Sequence, residues 1–535
     1  MNKGKSKIYL ILLTLTATLG GLLFGYDTAV ISGAVASLKH FFITPLLNNP
    51  EAASKMIFQF KVIGVLSFLF IYFLIISFLK KIFIDTKKTV LYSVIAGLFI
   101  GSIIYYLFLQ YGNTLNEGLI NVIHGFNISS ALIGCIIGGS IGGYISQGIG
   151  RKNGLILAAS LFIISAIGAA LPDKLNFLGS ETICMFMVYR IIGGIGVGLA
   201  SMLSPMYIAE ISPAEIRGRL VSFNQFAIIF GMLVVYFVNY FIAKGQPQEW
   251  IDTVGWRWMF ASGTIPSFLF FVMLFFVPET PRYLMYRNNE IKALDVLNKV
   301  VGTEKAVVVV AEIKNSLIEK SAPWLSFGGL VIVIGIFLSV FQQFVGINVV
   351  LYYAPEIFRT LGNGTDSALL QTILVGIINL TFTVVAILSV DKFGRRKLQI
   401  IGALGMAVSM FGLGMIFYLQ KLGFSALICM LVYVASFAMS WGPVTWVLLS
   451  EIFPNRIRGK ALAFASFTQW VFNFLVVLFF PYFLKTAGGA TTFLFLALMS
   501  FFQWWFTWKN IPETKGKSLE EIEQHWKRLY EEGRK

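Results

Sequence analysis

The chain has 535 residues, of which 57% are hydrophobic and only 13% charged, with a mean hydropathy of +0.78. That balance excludes a soluble globular domain, and many apolar runs reach the roughly 20 residues that a helix needs to cross a hydrocarbon core. The formal net charge of +16 does not point to nucleic acid, because Lys and Arg sit in loops between apolar runs, on alternate sides, as topology signals do. Strongly alternating strand patterns are absent from the sequence, so a helical bundle is expected rather than a barrel.

Lys3, Lys5 and Lys7 lead into an apolar stretch that runs past Gly25 and carries Asp27, without a small-residue cleavage site. It reads as an uncleaved first helix with its N-terminus in the cytoplasm, not as a signal peptide. Apolar helices are expected near 8–31, 62–79, 90–111, 120–147, 154–171, 183–205, 220–243 and 257–277. A polar stretch, 278–325, follows and carries helical patterns at about 289–301 and 303–320. Six more spans are expected near 326–353, 367–390, 397–418, 425–449, 461–484 and 490–509. The tail, 510–535, reads as a short amphipathic or solvated helix. Basic residues collect at 80–88, 151–152, 217–219, 282–287, 395–397, 456–460 and in the tail. These loops fall on one side if every run spans, which places both termini in the cytoplasm. Cys135, Cys184 and Cys429 lie in apolar runs, against a disulfide framework. His40, His124 and His525 are scattered, each expected to be interfacial or solvated, and no metal-ligand spacing occurs.

Three phrases occur twice, offset by about 240 residues. Glu-Ile-x-Pro-x-x-Ile-Arg-Gly starts at Glu210 and at Glu451; Gly150-Arg151-Lys152 is echoed by Gly394-Arg395-Arg396; Pro278-Glu279-Thr280 is echoed by Pro512-Glu513-Thr514. One unit is therefore used twice in parallel orientation, which is a transporter's geometry. Eight spans precede the polar stretch and six follow it, so two of the first eight are extra. The runs at 62–79 and 90–111 have no counterpart in the second half and are expected to form an inserted transmembrane hairpin, about 57–118. The expected units are thus 1–277 with that hairpin, a cytoplasmic linker 278–325, a second six-helix bundle 326–509 and the tail 510–535.

Asp27 stands alone in its apolar helix, where a carboxylate costs about 2.5–3.5 kcal/mol even on lenient insertion scales. Arg190, equally isolated, is its natural partner; a pair that parts when Asp27 is protonated would be a proton-operated latch. Amides and aromatics recur inside spans: Gln225, Gln342, Gln343, Asn348, Asn379 and Gln469, with Phe24, Trp441 and Trp470. An amide both donates and accepts, as a sugar hydroxyl does, and the C–H faces of a sugar ring lie well on aromatic rings. A break at Gly346 would turn Asn348 and Tyr352 toward a cavity. At the cytoplasmic ends, Glu210 with Arg151 or Arg217, and Glu451 with Arg395 or Arg458, are expected to bridge helices while that side is shut.

Long phrases carry a resemblance: ATLGGLLFGYDTAVISG from Ala17, YRIIGGIGVGLASMLSPMYIAE from Tyr189, SFNQFAIIFG from Ser222, FQQFVGINVVLYYAPE from Phe341, VDKFGRRKLQIIGALGMA from Val390 and SWGPV from Ser440. The chain resembles the sugar porter family of the major facilitator superfamily over nearly its whole length except about 50–118. The resemblance implies that Gln225, Gln342, Gln343, Asn348 and Trp441 hydrogen-bond a sugar. It implies that Phe24, Gln469 and Trp470 line the same cavity, that Tyr352 closes it from outside, and that Asp27 is the proton-coupling carboxylate with Arg190 as partner. Met232 stands where the xylose-carrying members have a glutamine, and Gln147-Gly148 replace an acidic residue and a base that Asp391-Lys392 keep.

The expected protein is an all-α polytopic membrane protein of the major facilitator fold, two six-helix halves plus the hairpin, 14 spans in all. The expected function is proton-coupled symport of a monosaccharide, D-xylose first, by alternating access in a bacterial inner membrane. A glucose-preferring symporter, a facilitative uniporter and a non-transporting sugar sensor are the alternatives. No enzyme chemistry, cofactor or metal is called for, the proton being the coupling ion. The partners are a small-molecule sugar and the lipid bilayer, with no nucleic acid and no protein partner identified.

Overall fold

The computed structural model describes residues 3–528 apart from 83–85, 111, 113, 214–215, 317–322, 325, 328, 361–363, 421–422, 517–520, 523, 525 and 527, so His525 lies outside the described residues. No strand occurs among the described residues, and 14 helices are long and apolar enough to cross a membrane. In chain order, spans 1 to 8 are Ile8–Gly33, Pro50–Ile82, Lys87–Leu109, Glu117–Gly148, Arg151–Ala170, Thr182–Ile211, Arg217–Ala243 and Gln248–Phe275. Spans 9 to 14 are Leu330–Thr360, Thr365–Phe393, Arg395–Tyr418, Phe424–Ile452, Ile457–Thr486 and Gly488–Asn510. Helices close every backbone hydrogen bond internally, which lipid demands, and hydroxyls such as Thr14 and Ser140 return theirs to the carbonyl one turn back.

Each expected run overlaps one of these helices, but span 2 is much longer than 62–79. It begins at Pro50, where the ring suits the first helical position and the Asn49 side chain accepts from Ala52 N at 3.1 Å. Its first turns carry Glu51, Lys55, Gln59 and Lys61, so a search for apolar runs passes over them. Among its described residues the polar stretch holds three helices, Pro281–Tyr286, Glu290–Val301 and Thr303–Ser316. The first, not expected, is capped by the Thr280 hydroxyl and opened by Pro281. The tail is docked, not merely solvated: Trp526 is buried and its indole N–H donates to Ile452 O at 2.9 Å. His124 corrects the reading of a solvated histidine, being buried in span 4, whereas the His40 side chain is 66% exposed.

Spans 1–8 and 9–14 pack as two bodies that meet chiefly where span 4 lies against span 13 and span 7 against span 10, with the end of span 1 also touching span 9. Long apolar side chains such as Leu98, Phe276 and Leu388 point outward, as lipid-facing residues do. We call the face carrying Arg151, Arg395 and the linker the basic face. At the opposite face the two bodies close on each other. A Cβ on Gly125 would sit 2.2 Å from Leu478 O, so only glycine lets spans 4 and 13 touch there. Tyr236 OH donates to Leu351 O at 3.1 Å and Thr365 Oγ1 to Gln248 Oε1 at 2.8 Å, both across the halves. At the basic face no ion pair joins the halves among the described residues, and Tyr144 and Phe393 are more than half exposed.

Candidate functional site

The site begins with two broken helices. Span 9 breaks at Gly346, as expected from the sequence: its φ of +85° is open only to glycine, and a Cβ would meet the Leu496 side chain at 2.8 Å. The carbonyl freed at Val345 is taken by the Tyr433 hydroxyl at 2.7 Å. Span 12 is also broken, between Phe424–Met439 and Pro443–Ile452, which the sequence reading missed although Gly442-Pro443 signals it. The two breaks face each other. Gln342, just before the first, donates to Trp441 O in the second at 2.7 Å. Gln343 accepts from Asn348 Nδ2 at 2.7 Å across the kink, which brings these two expected amides together.

Not all expected donors are free. Trp441 is fully buried and its indole N–H is committed to Gln399 O in span 11 at 3.0 Å, so here it braces the break. By contrast, Gln342 Oε1, Gln469 Oε1 and Asn473 Oδ1 are buried acceptors without a protein partner. A buried acceptor left unmatched costs about 1–3 kcal/mol, a cost that a ligand hydroxyl removes. Trp470 sits beside them, its ring 5.6 Å from that of Phe24 across the halves. Gln225 is half-buried on span 7, and Met232, on the same helix, is buried with its backbone against span 1 at Gly25. Tyr352 is buried with its hydroxyl toward Thr28 and Asn473, on the closed side.

Asp27 and Arg190 pair as expected. Arg190 Nη1 lies 3.0 Å from Asp27 Oδ1, and Nη2 donates to the Asp27 carbonyl at 3.1 Å. The guanidinium also lies over the Phe260 ring at 5.3 Å. Asp27 Oδ2 has no partner and the residue borders a void of about 10 Å³, room for one water, lined by Tyr26, Phe162, Phe260 and Ser267. Arg190 is buried, and Asp27, with its side chain 14% exposed, is incompletely hydrogen-bonded, which distinguishes the pair from a fully satisfied structural bridge.

At the basic face the three duplicated phrases become one cluster, built twice. Arg151 Nη2 bonds Glu210 Oε1 at 2.7 Å, and Thr280 Oγ1 donates to Glu210 Oε2 at 2.6 Å. Glu279 accepts from the backbone N–H groups of Arg151 and Lys152, capping span 5 where the helix dipole favours an anion. Burial pushes the Glu279 carboxyl up, against the pull of the Thr280, Lys152 and Arg151 N–H groups and the Arg151 charge. In the second half, Arg395 pairs with Glu451 at 2.9 Å, Thr514 donates to Glu451 at 2.6 Å, and Glu513 accepts from Arg395 N and Arg396 N. The Pro-Glu-Thr residues were visible as a repeat, but nothing in sequence told of their contact with Glu210 and Glu451.

The geometry chooses among the expected partners. Arg217 is exposed and Arg458 donates to Phe453 O, so Arg151 and Arg395 are the partners of the two glutamates. Each cluster lies within one half, Arg151, Glu210 and Thr280 in the first and Arg395, Glu451 and Thr514 in the second. The clusters also differ: Arg395 takes Asp391 as a second carboxylate at 2.9 Å, whereas Arg151 turns to the Ser146 carbonyl at 3.0 Å. Gln147, at the position equivalent to Asp391, supplies no charge.

Gly150 (φ 95°, ψ 175°) occupies a region essentially closed to other residues, and its Cβ would lie 2.2 Å from Glu279 Oε2. Gly150→Ala is expected to cost about 1–3 kcal/mol, read as a lower melting temperature in detergent. Gly148→Ala, whose Cβ would meet open space, should leave the melting temperature nearly unchanged.

Comparison with known proteins agrees with this geometry. The profile of the "Sugar (and other) transporter" family matches residues 13–526. The D-xylose-proton symporter of Escherichia coli K12 is 50% identical over 550 aligned residues, covering 98% of this chain and 97% of that protein. The inward open conformation of the xylose transporter XylE from E. coli superposes with a TM-score of 0.77 at 49% identity, covering 97% of this chain and 100% of the other. XylE bound to 6-bromo-6-deoxy-D-glucose gives 0.74 at 50% identity, covering 97% and 100%. The fold is that of the major facilitator transporters, and the chain belongs to the sugar (and other) transporter family.

Proposed function

We infer that this protein is a proton-coupled monosaccharide symporter, with D-xylose as the preferred sugar. The observation that carries the reading is the Asp27–Arg190 pair, buried in span 1 and span 6 with one carboxylate oxygen unused. Protonating Asp27 removes the charge that holds Arg190, while a sugar takes up the unmatched acceptors of Gln342, Gln469 and Asn473 between the broken helices. Phe24 and Trp470 supply rings for the sugar's apolar faces, and Gln225, Gln343 and Asn348 complete its polar rim. Tyr352 closes the site on the outer side. The two events together favour the state that crosses the membrane.

In this reading the basic face is cytoplasmic, as loops rich in Lys and Arg dictate, and the membrane is the bacterial inner membrane. Twelve spans form the two rocking bundles, 1–277 and 326–509, and spans 2 and 3 are the inserted hairpin. The Arg151–Glu210 and Arg395–Glu451 clusters stiffen the bundles' cytoplasmic ends so that each rocks as a body. Met232, apolar where a glutamine was expected, favours a second reading of the same class, a symporter that prefers glucose.

The test is uptake of labelled D-xylose into proteoliposomes, with and without an imposed inward proton gradient. Accumulation that follows the gradient, and is displaced less by D-glucose than by unlabelled D-xylose, is the expected result. Stronger displacement by glucose would make the protein a glucose symporter, equal uptake without the gradient a uniporter, and no uptake of either sugar would overturn transport.

A further inference from the structure

The hairpin of spans 2 and 3 touches both halves at several points beside the seam between spans 4 and 13. Near the closed face it is held by the first half: Lys55 Nζ lies 3.2 Å from Glu181 Oε1, Gln59 Oε1 accepts from Glu181 N at 2.8 Å, and Phe60 meets Phe126 edge-on at 5.3 Å. On its other side it holds the second half. Phe68 packs on Phe474 at 5.6 Å, Phe78 packs on Phe464 at 5.2 Å and on Phe467 at 5.1 Å, and Tyr106 OH bonds Tyr482 OH at 2.5 Å. At its basic-face end, Lys81 Nζ donates to Tyr144 OH at 2.8 Å, one turn beyond Phe78, so this end touches span 4 as well as span 13.

We propose that the hairpin is a strut that holds the carrier open to its basic face, and so sets how often the site faces outward. The proposal rests on the alternating-access reading above and adds a state-setting part to it. When the basic face closes, the lower end of span 13 swings toward span 4 while the opposite ends part. A hairpin fixed to span 6 through Glu181 cannot follow span 13, so the Phe78 contacts and the Tyr106–Tyr482 bond must break. Contacts made in one state and broken in the other bias the equilibrium by their full value, and an outward-competent state that is rarely populated lowers apparent affinity in proportion.

Two measurements test the strut, both in proteoliposomes with D-xylose as probe. In a background with Cys135, Cys184 and Cys429 replaced by alanine, Phe78→Cys/Phe467→Cys is joined by a short, cleavable thiol cross-linker. Joining is expected to cut D-xylose counterflow at least about tenfold, and cleavage to restore it. The same linker on Lys55→Cys/Glu181→Cys, which ties the hairpin to the half it travels with, should leave counterflow unchanged. Undiminished counterflow in the joined Phe78/Phe467 pair overturns the strut, whereas absence of counterflow before joining overturns the transport reading instead. Second, Phe78→Ala should tighten apparent D-xylose affinity from outside by roughly three- to tenfold and weaken it from inside. A merely structural phenylalanine would lower both or neither, and either of those results rejects the proposal.

Discussion

Asp27→Asn is expected to abolish gradient-driven accumulation of D-xylose while leaving counterflow exchange intact. One pH unit is worth about 1.4 kcal/mol, or roughly tenfold accumulation at one proton per sugar, and the variant should accumulate none of it. Asparagine keeps the shape of the side chain and can still accept from Arg190, whose Nη2 also holds the Asp27 carbonyl at 3.1 Å. The carrier therefore stays folded and moves, but has lost the group that takes up the proton. A fixed structural ion pair predicts otherwise: removing one charge would leave Arg190, only 1% exposed, uncompensated, at a cost of about 3–5 kcal/mol. Counterflow and melting temperature would then fall together. Accumulation equal to that of the parent protein would sink the proton latch outright.

Gln342→Ala should weaken sugar binding by about 1–3 kcal/mol, roughly 5- to 150-fold in Kd, without unfolding the protein. The side chain does two things at once. Its Nε2 ties the breaks of spans 9 and 12 together, and its Oε1 is left as a buried acceptor. Losing the tie does not strip the break in span 12 of its cap, because Thr445 Oγ1, on the same helix, also donates to Trp441 O at 2.7 Å. The acceptor has no substitute at that position. Titration of D-xylose by calorimetry or tryptophan quenching reads the loss directly, and a Kd within about twofold of the parent would remove Gln342 from the sugar site.

Much of this was legible before any coordinates. Hydropathy located every span, because in lipid the apolar length of a helix is set by the bilayer and not by its neighbours. The Gly346 break was legible because only glycine takes that backbone conformation, and the Asp27–Arg190 pair because a lone charge in an apolar helix needs an opposite one. What the sequence left open were choices among equivalent partners. Arg151 and Arg217 lie on either side of Glu210 in the sequence, and nothing local decides between them. Trp441 was expected to face the sugar, yet its N–H is taken by Gln399 O, a carbonyl whose position depends on how spans 11 and 12 cross. Span 2 was cut short because its first turns stand beyond the apolar core, held by Glu181 at 122 residues' remove in the chain.

The sequence by itself determined the membrane class, the duplication, the side on which basic residues collect and the residue types at the site, since each is a local property of composition, period or spacing. Only the tertiary structure decided that Glu279 and Thr280, and their copies Glu513 and Thr514, complete the Arg–Glu clusters. It also decided that each cluster stays within one half, and that the hairpin lies along the seam and not on the outside of one bundle. The reason is the same in each case. Helices in lipid are driven together by close packing and hydrogen bonds rather than by hydrophobicity, so which faces meet depends on fit between distant surfaces, and no stretch of sequence carries that alone.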